Sequence, residues 1–242
     1  MFTLTLARPE KRNAFTPTMV NEINHALEAA NADQQVRVVV IRAEGPVFCA
    51  GMDLNAFLDP GADRPNPAIR NREISLGEVV ARLNKPSVAV VEGKVVAGGF
   101  LLVAECTYVL AREEVTFALP EVELGIFPFQ VMASLLKVMP QKKVLQLCLD
   151  ARPFTARAAL AYGIVDGLLE EQPAGPLIEH LAGNAPLAVT RGFEALKRLE
   201  TVGESERFQY LMGVLNDLRN SEDAQEGIRA RMEKRKPMWT NT

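Results

Sequence analysis

The stretch Phe48-Cys49-Ala50-Gly51-Met52-Asp53-Leu54 decides how this chain is read. It follows Val36 to Ile41, a β-branched and nearly continuous apolar run. That pattern belongs to a strand covered on both faces. A second stretch, Val95-Val96-Ala97-Gly98-Gly99-Phe100, follows a second such run, Ser87 to Val91. Each reads as strand, glycine turn, helix. Glycine permits backbone shapes and close approaches closed to other residues. A helix start leaves N–H groups without partners and carries a partial positive charge. Two such starts brought together would bind a developing oxyanion without any charged side chain. Taken singly, a glycine pair before a helix is more often just a tight turn.

Working outward, Phe2, Leu4 and Leu6 alternate as in a half-buried strand. Thr16-Pro17 offers a cap and a first-turn proline, and Val20, Ile23, Leu27 and Ala30 then share one helical face. Asp59 to Pro67 is rich in Pro, Gly, Asp and Asn, the composition of a mobile surface loop. Leu76, Val79, Val80 and Leu83 predict a short helix that stops before Pro86. Tyr108 to Ala111 and Val115 to Phe117 predict further strands. Beyond Phe129 helical patterns dominate, with one short strand expected at Ile164 to Leu169, and Leu187 to Lys234 reads as helix throughout. No repeat of fixed sequence period is visible. The expectation is an α/β core over residues 1–185. A helical C-terminal region, 186–242, is too poor in apolar residues for a core of its own and would dock on the sheet or on a neighbouring subunit.

The chain has 242 residues, with 27 Lys and Arg against 30 Asp and Glu. A net charge of −3 gives no basic face for nucleic acid. Cys49, Cys106 and Cys148 are far apart and odd in number, which argues against a zinc site or a disulfide framework. The two histidines, His25 and His180, have no nearby serine or carboxylate pattern, so a Ser-His-Asp triad is not expected. No phosphate-loop or dinucleotide glycine fingerprint occurs. The N-terminus has no basic region followed by an apolar core, and the longest apolar stretches fall short of the ~20 residues of a membrane helix. The expected location is cytoplasmic.

Several ordered segments resemble the crotonase (enoyl-CoA hydratase/isomerase) superfamily over nearly the whole chain. They are Arg8 to Phe15, Phe48 to Leu54, Lys85-Pro86 with Glu92-Gly93 and Ala97 to Gly99, Pro120 to Pro128, Ala158 to Asp166, and Ser221 to Gly227 with Glu233 to Pro237. The resemblance implies a spiral of ββα units, assembled as a homotrimer or dimer of trimers. It implies an acyl-CoA or acyl-carrier-protein thioester as substrate, with no separate cofactor and no metal. It also implies that the Met52 and Gly98 N–H groups polarise the thioester carbonyl. Substrate contacts would then come from Arg12, Ala14, Ala50, Asp53, Leu54, Gly99 and Leu101, with Lys11 as a further phosphate candidate.

One departure matters. A hydratase of this family is expected to carry two glutamates that position and activate water. The second is present as Glu121, but the first position, three residues after the glycine pair, holds Leu101. Leucine neither holds a water nor transfers a proton. A single carboxylate can still shuttle a proton between two carbons, which is what moving a double bond from the 3,4 to the 2,3 position requires. Isomerisation is therefore preferred, with Phe100 and Leu101 making the acyl pocket more apolar. Hydration by Glu121 with Glu123 or a positioned water follows: an extended segment would put Glu121 and Glu123 on one face, although Glu123 reads first as a surface charge or salt-bridge partner. Decarboxylation and a non-catalytic acyl-CoA binder stay open. Glu105, one helical turn beyond Leu101, is a weak further candidate, and Glu92 reads as structural.

Overall fold

The structure, a computed structural model, describes residues 1–242. The first strand, β1 (Phe2–Leu6), leads through a 3-10 turn at Pro9–Lys11 into helix α1 (Pro17–Ala32). The Thr16 side chain accepts a hydrogen bond from the Met19 N–H, and Pro17 sits at the helix start, as its sequence predicts. Such a cap is worth about 1 kcal/mol.

Strand pairs then alternate with helices. β2 (Val39–Ala43) and β3 (Val47–Cys49) precede α2 (Leu54–Leu58) and α3 (Leu76–Ala81). β4 (Ser87–Val91) and β5 (Lys94–Val96) precede a 3-10 turn at Ala97–Gly99 and α4 (Phe100–Val103). β6 (Tyr108–Ala111) and β7 (Thr116–Ala118) precede a 3-10 turn at Glu121–Leu124, then α5 (Phe129–Leu135) and α6 (Gln141–Leu149). Short strands β8 (Phe154–Thr155) and β9 (Gly167–Leu168) flank α7 (Ala156–Ala161). The chain ends in α8 (Ala174–Ala182), α9 (Pro186–Leu199), α10 (Arg207–Leu218) and α11 (Glu222–Met232).

Each strand pair splits between two sheets. β1-β2-β4-β6-β9 form one, all parallel, and β3-β5-β7-β8 form the other, parallel except for β7 with β8. This is a spiral of ββα turns. The repeat is hidden in sequence because the turns differ in length: residues 50–86 link β3 to β4 and 119–153 link β7 to β8, but only 97–107 link β5 to β6.

The apolar runs in the larger sheet are continuous because both faces are covered. Val39, Ile41, Ala89, Val91, Val109 and Ala111 face the main core. Val38, Val40, Val88, Val90 and Leu110 face the other way, onto Leu177, Ile178 and Leu181 of α8. Alternation along a strand sends successive side chains to opposite faces.

Several boundaries differ from the sequence reading. Pairing of β2 starts only at Val39, because Val36 closes a turn with its N–H bonded to Asp33 O. The expected Ile164–Leu169 strand shrinks to two residues. Ile164 and Val165 instead bond back to Ala159 O at the end of α7. The strand expected at Val115 to Phe117 lies one residue later. Asp59 to Pro67 is a surface segment with a 3-10 turn at Pro60–Ala62, and its side chains tie it to α1. Thr18 N–H donates to Asp63 Oδ2 at 2.7 Å, and Asn66 donates to Glu22 at 2.8 Å. Composition gave its place at the surface but not these bonds, which come from residues forty or more positions away. Helices α9 to α11 leave large apolar side chains exposed, Phe208, Met212 and Leu215 of α10 among them. No helix is long and apolar enough to cross a membrane.

Candidate active site

Register puts the three chemically suggestive loops at one end of the smaller sheet. Cys49 of β3 pairs with Val95 of β5, and Val96 of β5 pairs with Ala118 of β7. All three strands run in parallel. The loops that leave their carboxyl ends therefore start side by side: Ala50 to Asp53, Ala97 to Gly99, and Leu119 to Glu121. Adjacent strands sit about 4.8 Å apart, and the carboxyl edge of a parallel sheet is where α/β proteins tend to place their ligands.

The first loop is stitched to the segment before α1. Asn13 is fully buried, and its amide donates to Glu44 O and Val47 O, both at 2.8 Å. The Arg8 N–H in turn donates to Asn13 Oδ1 at 2.8 Å. Arg12 and Asn13 both take a left-handed backbone (φ 54° and 52°), which lets the chain turn back on itself here. Ala50 N–H then bonds Arg12 O at 3.0 Å, Phe15 N–H bonds Gly51 O at 2.8 Å, and Asp53 N–H bonds Phe15 O at 2.9 Å. Met52 and Phe15 are thus parallel bridge partners. In such a bridge the bonds to Phe15 are made by the flanking residues 51 and 53, so the N–H of Met52 itself points away. It has no acceptor in the protein.

Gly98 is the second residue of its 3-10 turn, so no carbonyl of that turn can accept its N–H. The two loops touch through glycines. A methyl group on Gly51, whose φ is 87°, would lie 2.8 Å from Ala97 Cβ and 3.1 Å from the Gly98 nitrogen. One on Gly98 would lie 2.9 Å from the Phe15 ring, and one on Gly99 would lie 2.7 Å from Cys49 O. No side chain fits at these positions without displacing a neighbour. The helices that follow are short, five residues in α2 and four in α4. The pull on an anion therefore comes from the free N–H groups themselves more than from a long helix dipole.

Asp53 is buried. Its carboxylate caps α2 through Asn55 N–H at 3.0 Å and accepts from Arg8 Nη1 at 2.7 Å. The Arg8 bond holds its pKa below the ordinary aspartate value. Only its backbone is left to touch a ligand. Arg8 also donates to Ala14 O at 2.8 Å. Leu54, Arg12 and Lys11 lie exposed at the edge of the loop.

Glu121 opens the third loop. It is 8% exposed, and its Oε2 is buried with no hydrogen-bond partner. Burial pushes its carboxyl above the ordinary glutamate range, opposed by a bond from its own N–H. The Cys148 thiol of α6 is pushed up to about 11, first by burial and then by the charge of Glu121. No arginine or lysine pairs with Glu121.

The other carboxylates do not join it. Glu123 would share its face only in an extended segment, but residues 121–124 form a 3-10 turn, and Glu123 is an exposed surface charge. Residues two apart on a helix of three per turn point well away from one another. Glu105 is held by Lys137 at 2.8 Å. Glu92 bridges Arg42 and Arg112. Leu101 is 3% exposed, and a methyl on Gly77 of α3 would sit 3.3 Å from Leu101 Cδ2 and from Ser134 Oγ. Phe100 was expected to line the acyl pocket. It is instead fully enclosed, with its ring 5.9 Å from that of Phe117 and 6.2 Å from that of Phe154. Apolar groups that do reach the surface near these loops include Met52, Leu54, Phe57, Leu124, Ile126 and Phe129. Cys49 is buried with its thiol pushed up to about 12, which leaves it unreactive.

Sequence reasoning missed the parts played by Arg8 and Asn13. An asparagine next to a left-handed residue, between two charged residues and a helix start, was the available signal.

The sequence profile of the enoyl-CoA hydratase/isomerase family matches residues 1–242. The mevalonyl-coenzyme A hydratase of Aspergillus fumigatus is 31% identical over 246 residues, covering 98% of this chain and 90% of that protein. The enoyl-CoA hydratase EchA19 of Mycobacterium tuberculosis is 29% identical, covering 98% and 92%. A crystal structure of an enoyl-CoA hydratase from Mycobacterium tuberculosis H37Rv superposes with a TM-score of 0.86 at 29% identity, over 99% of this chain and 95% of the other. Two strands and a helix per turn, three loops gathered at one sheet edge, and a profile that runs from the first residue to the last place this chain in the crotonase superfamily, as a member of its enoyl-CoA hydratase/isomerase family of enzymes.

Proposed function

We propose that this enzyme moves a double bond in an acyl-CoA thioester with a single carboxylate. The observation that carries the reading is the contrast between two positions. Glu121 keeps a buried, unpaired carboxyl oxygen, whereas Leu101 fills the place of a second acid with packed hydrocarbon.

The thioester carbonyl accepts from the Met52 and Gly98 N–H groups. Glu121, ionised, takes a proton from C2 of a 3-enoyl thioester. The electron pair spreads over C2 to C4 and the carbonyl oxygen, where the two N–H groups offset the charge. Protonated Glu121 then delivers the proton to C4, leaving the double bond between C2 and C3. Nothing else enters or leaves. The surrounding backbone of Ala14, Ala50, Asp53 and Gly99 holds the thioester, with Arg12 and Lys11 toward the phosphates and Leu54 and Leu101 on the apolar side.

Hydration is the second reading, favoured by the names of the relatives. It requires Glu121 alone to orient a water and supply a proton, since Glu123 faces solvent. A 3-enoyl-CoA deuterated at C2 separates the two. Direct transfer leaves part of the label at C4 of the 2-enoyl product. A 3-enoyl thioester left unconverted with its label intact, beside conversion of the 2-enoyl thioester to the 3-hydroxyacyl product, favours hydration.

A homotrimer or dimer of trimers belongs to the same proposal. It is supported by the exposed Phe208, Met212 and Leu215 of α10, which a neighbouring subunit would cover. Light scattering of the purified protein tests it.

A further inference from the structure

The chain between α2 and α3 leaves the Met52 loop at one end and arrives at Gly77, against Leu101, at the other. It therefore runs along the site from the carbonyl-binding N–H to the packed leucine. Its hold on the rest of the protein comes almost entirely from α1. Asn21 is 4% exposed and faces this segment. Its Oδ1 accepts from Arg72 N–H at 2.7 Å, and its Nδ2 donates to Arg72 O at 3.0 Å and to Pro17 O at 2.9 Å. One amide thus grips both backbone groups of Arg72, four residues before α3 begins. The other end of the segment is held where Thr18 N–H donates to Asp63 Oδ2 and Thr18 Oγ donates to Arg64 O. Between these two points Asn66 donates to Glu22 of α1 at 2.8 Å, an exposed side-chain bond. The start of α1 is the same place where Phe15 pairs with Met52 and its ring meets Gly98. One helix therefore carries both the carbonyl-binding loop and the anchor of the segment that flanks it.

We propose that Asn21 is a positioning residue for acyl-chain selection: its two bonds to Arg72 fix where the 59–73 segment and α3 stand relative to the Met52 and Gly98 N–H groups, and so set the room available to the acyl chain. This rests on the proposed acyl-CoA reading, but on binding only, not on the reaction catalysed. Asn21 touches no substrate and acts through Arg72. A buried amide that satisfies a peptide unit on both sides is costly to lose, because both backbone groups are then left without partners.

The test measures dissociation constants of saturated, unreactive acyl-CoA thioesters of increasing chain length, by calorimetry. It uses wild type, Asn21→Ala, Asn21→Asp and Asp63→Ala. Asn21→Asp keeps the acceptor for Arg72 N–H but loses the donor. Asp63→Ala releases the exposed end of the segment and leaves the buried anchor in place, so it stays informative if Asn21→Ala does not fold. The proposal expects the long-to-short affinity ratio to shift toward longer chains by about fivefold in Asn21→Ala, with smaller shifts in the same direction in the other two. Short-chain affinity should stay within about twofold of wild type. A uniform weakening at every chain length, or an unchanged profile in all folded variants, overturns it. If wild type binds no acyl-CoA at all, the acyl-CoA reading itself falls and takes this proposal with it. If thioesters bind but no isomerisation occurs, only the reaction assignment fails.

Discussion

Arg8 Nη1 lies 2.7 Å from Asp53 Oδ2, joining the segment before α1 to the residue that follows Met52. The same nitrogen donates to Ala14 O, so one guanidinium holds both sides of the Phe15–Met52 bridge. Arg8→Met should leave a buried carboxylate with only its helix-cap partner. The expected loss is about 1–3 kcal/mol of stability in urea unfolding, and a lower kcat as the Met52 N–H loses its fixed direction. Asp53 also gives this contact a pH sign. Its folded pKa is depressed by Arg8, so its contribution is present above the unfolded value and disappears as acid protonates it through the folded value. In Arg8→Met that part of the acid sensitivity should shrink.

Gly98→Ala tests the meeting of the two loops. A methyl there would be 2.9 Å from the Phe15 ring. Either the ring or the loop must move, and the Gly98 N–H moves with it. Turnover should fall by roughly 10²-fold, the usual cost of one misplaced oxyanion donor, while circular dichroism stays native.

The protonation of Glu121 sets a pH profile. A base must be ionised, and burial raises this carboxyl above its ordinary range. Activity in kcat/KM should therefore rise with pH through an apparent pKa above that of a free glutamate. Stability runs the opposite way. A raised folded pKa means the fold favours the protonated acid, so stability is fullest below the unfolded value and declines as pH climbs through the folded one. Glu121→Gln should remove this decline and be more stable than wild type at neutral pH. Equal or lower stability of the variant at neutral pH would contradict the burial argument.

Glu105 supplies the contrast. Its carboxylate is tied to Lys137 at 2.8 Å. Glu105→Gln should cost about 1 kcal/mol or less in stability and leave the pH profile of turnover where it is. A shifted profile would mean that Glu105 takes part in proton transfer.

How much of this was legible in the sequence depends on the range of the interactions involved. Alternation in Phe2 to Leu6, the cap at Thr16 and the double-faced run Ser87 to Val91 are local patterns, and each element forms where its pattern lies. The two glycine loops were visible for the same reason: a backbone that must bend sharply or approach another closely shows in its residue types. Glu123 is the surface charge its sequence suggested first, and the alternative of a carboxylate pair fails because Pro120 and Gly125 close a 3-10 turn that short carboxylate spacing alone does not reveal. The Asn21–Arg72 and Arg8–Asp53 bonds join residues 51 and 45 positions apart, set by tertiary packing that no local pattern encodes. The enclosure of Phe100 likewise follows from β7 and β8 bringing Phe117 and Phe154 against it.

The central claim is that one carboxylate does the chemistry. The most direct measurement compares wild type and Glu121→Gln on matched 3-enoyl-CoA and 2-enoyl-CoA substrates. The account predicts that wild type converts the 3-enoyl thioester to the 2-enoyl product, barely hydrates the 2-enoyl one, and loses isomerisation by about 10³-fold in the variant, in line with removal of a general base. Robust hydration of the 2-enoyl thioester by wild type, or isomerisation that survives Glu121→Gln, would contradict it.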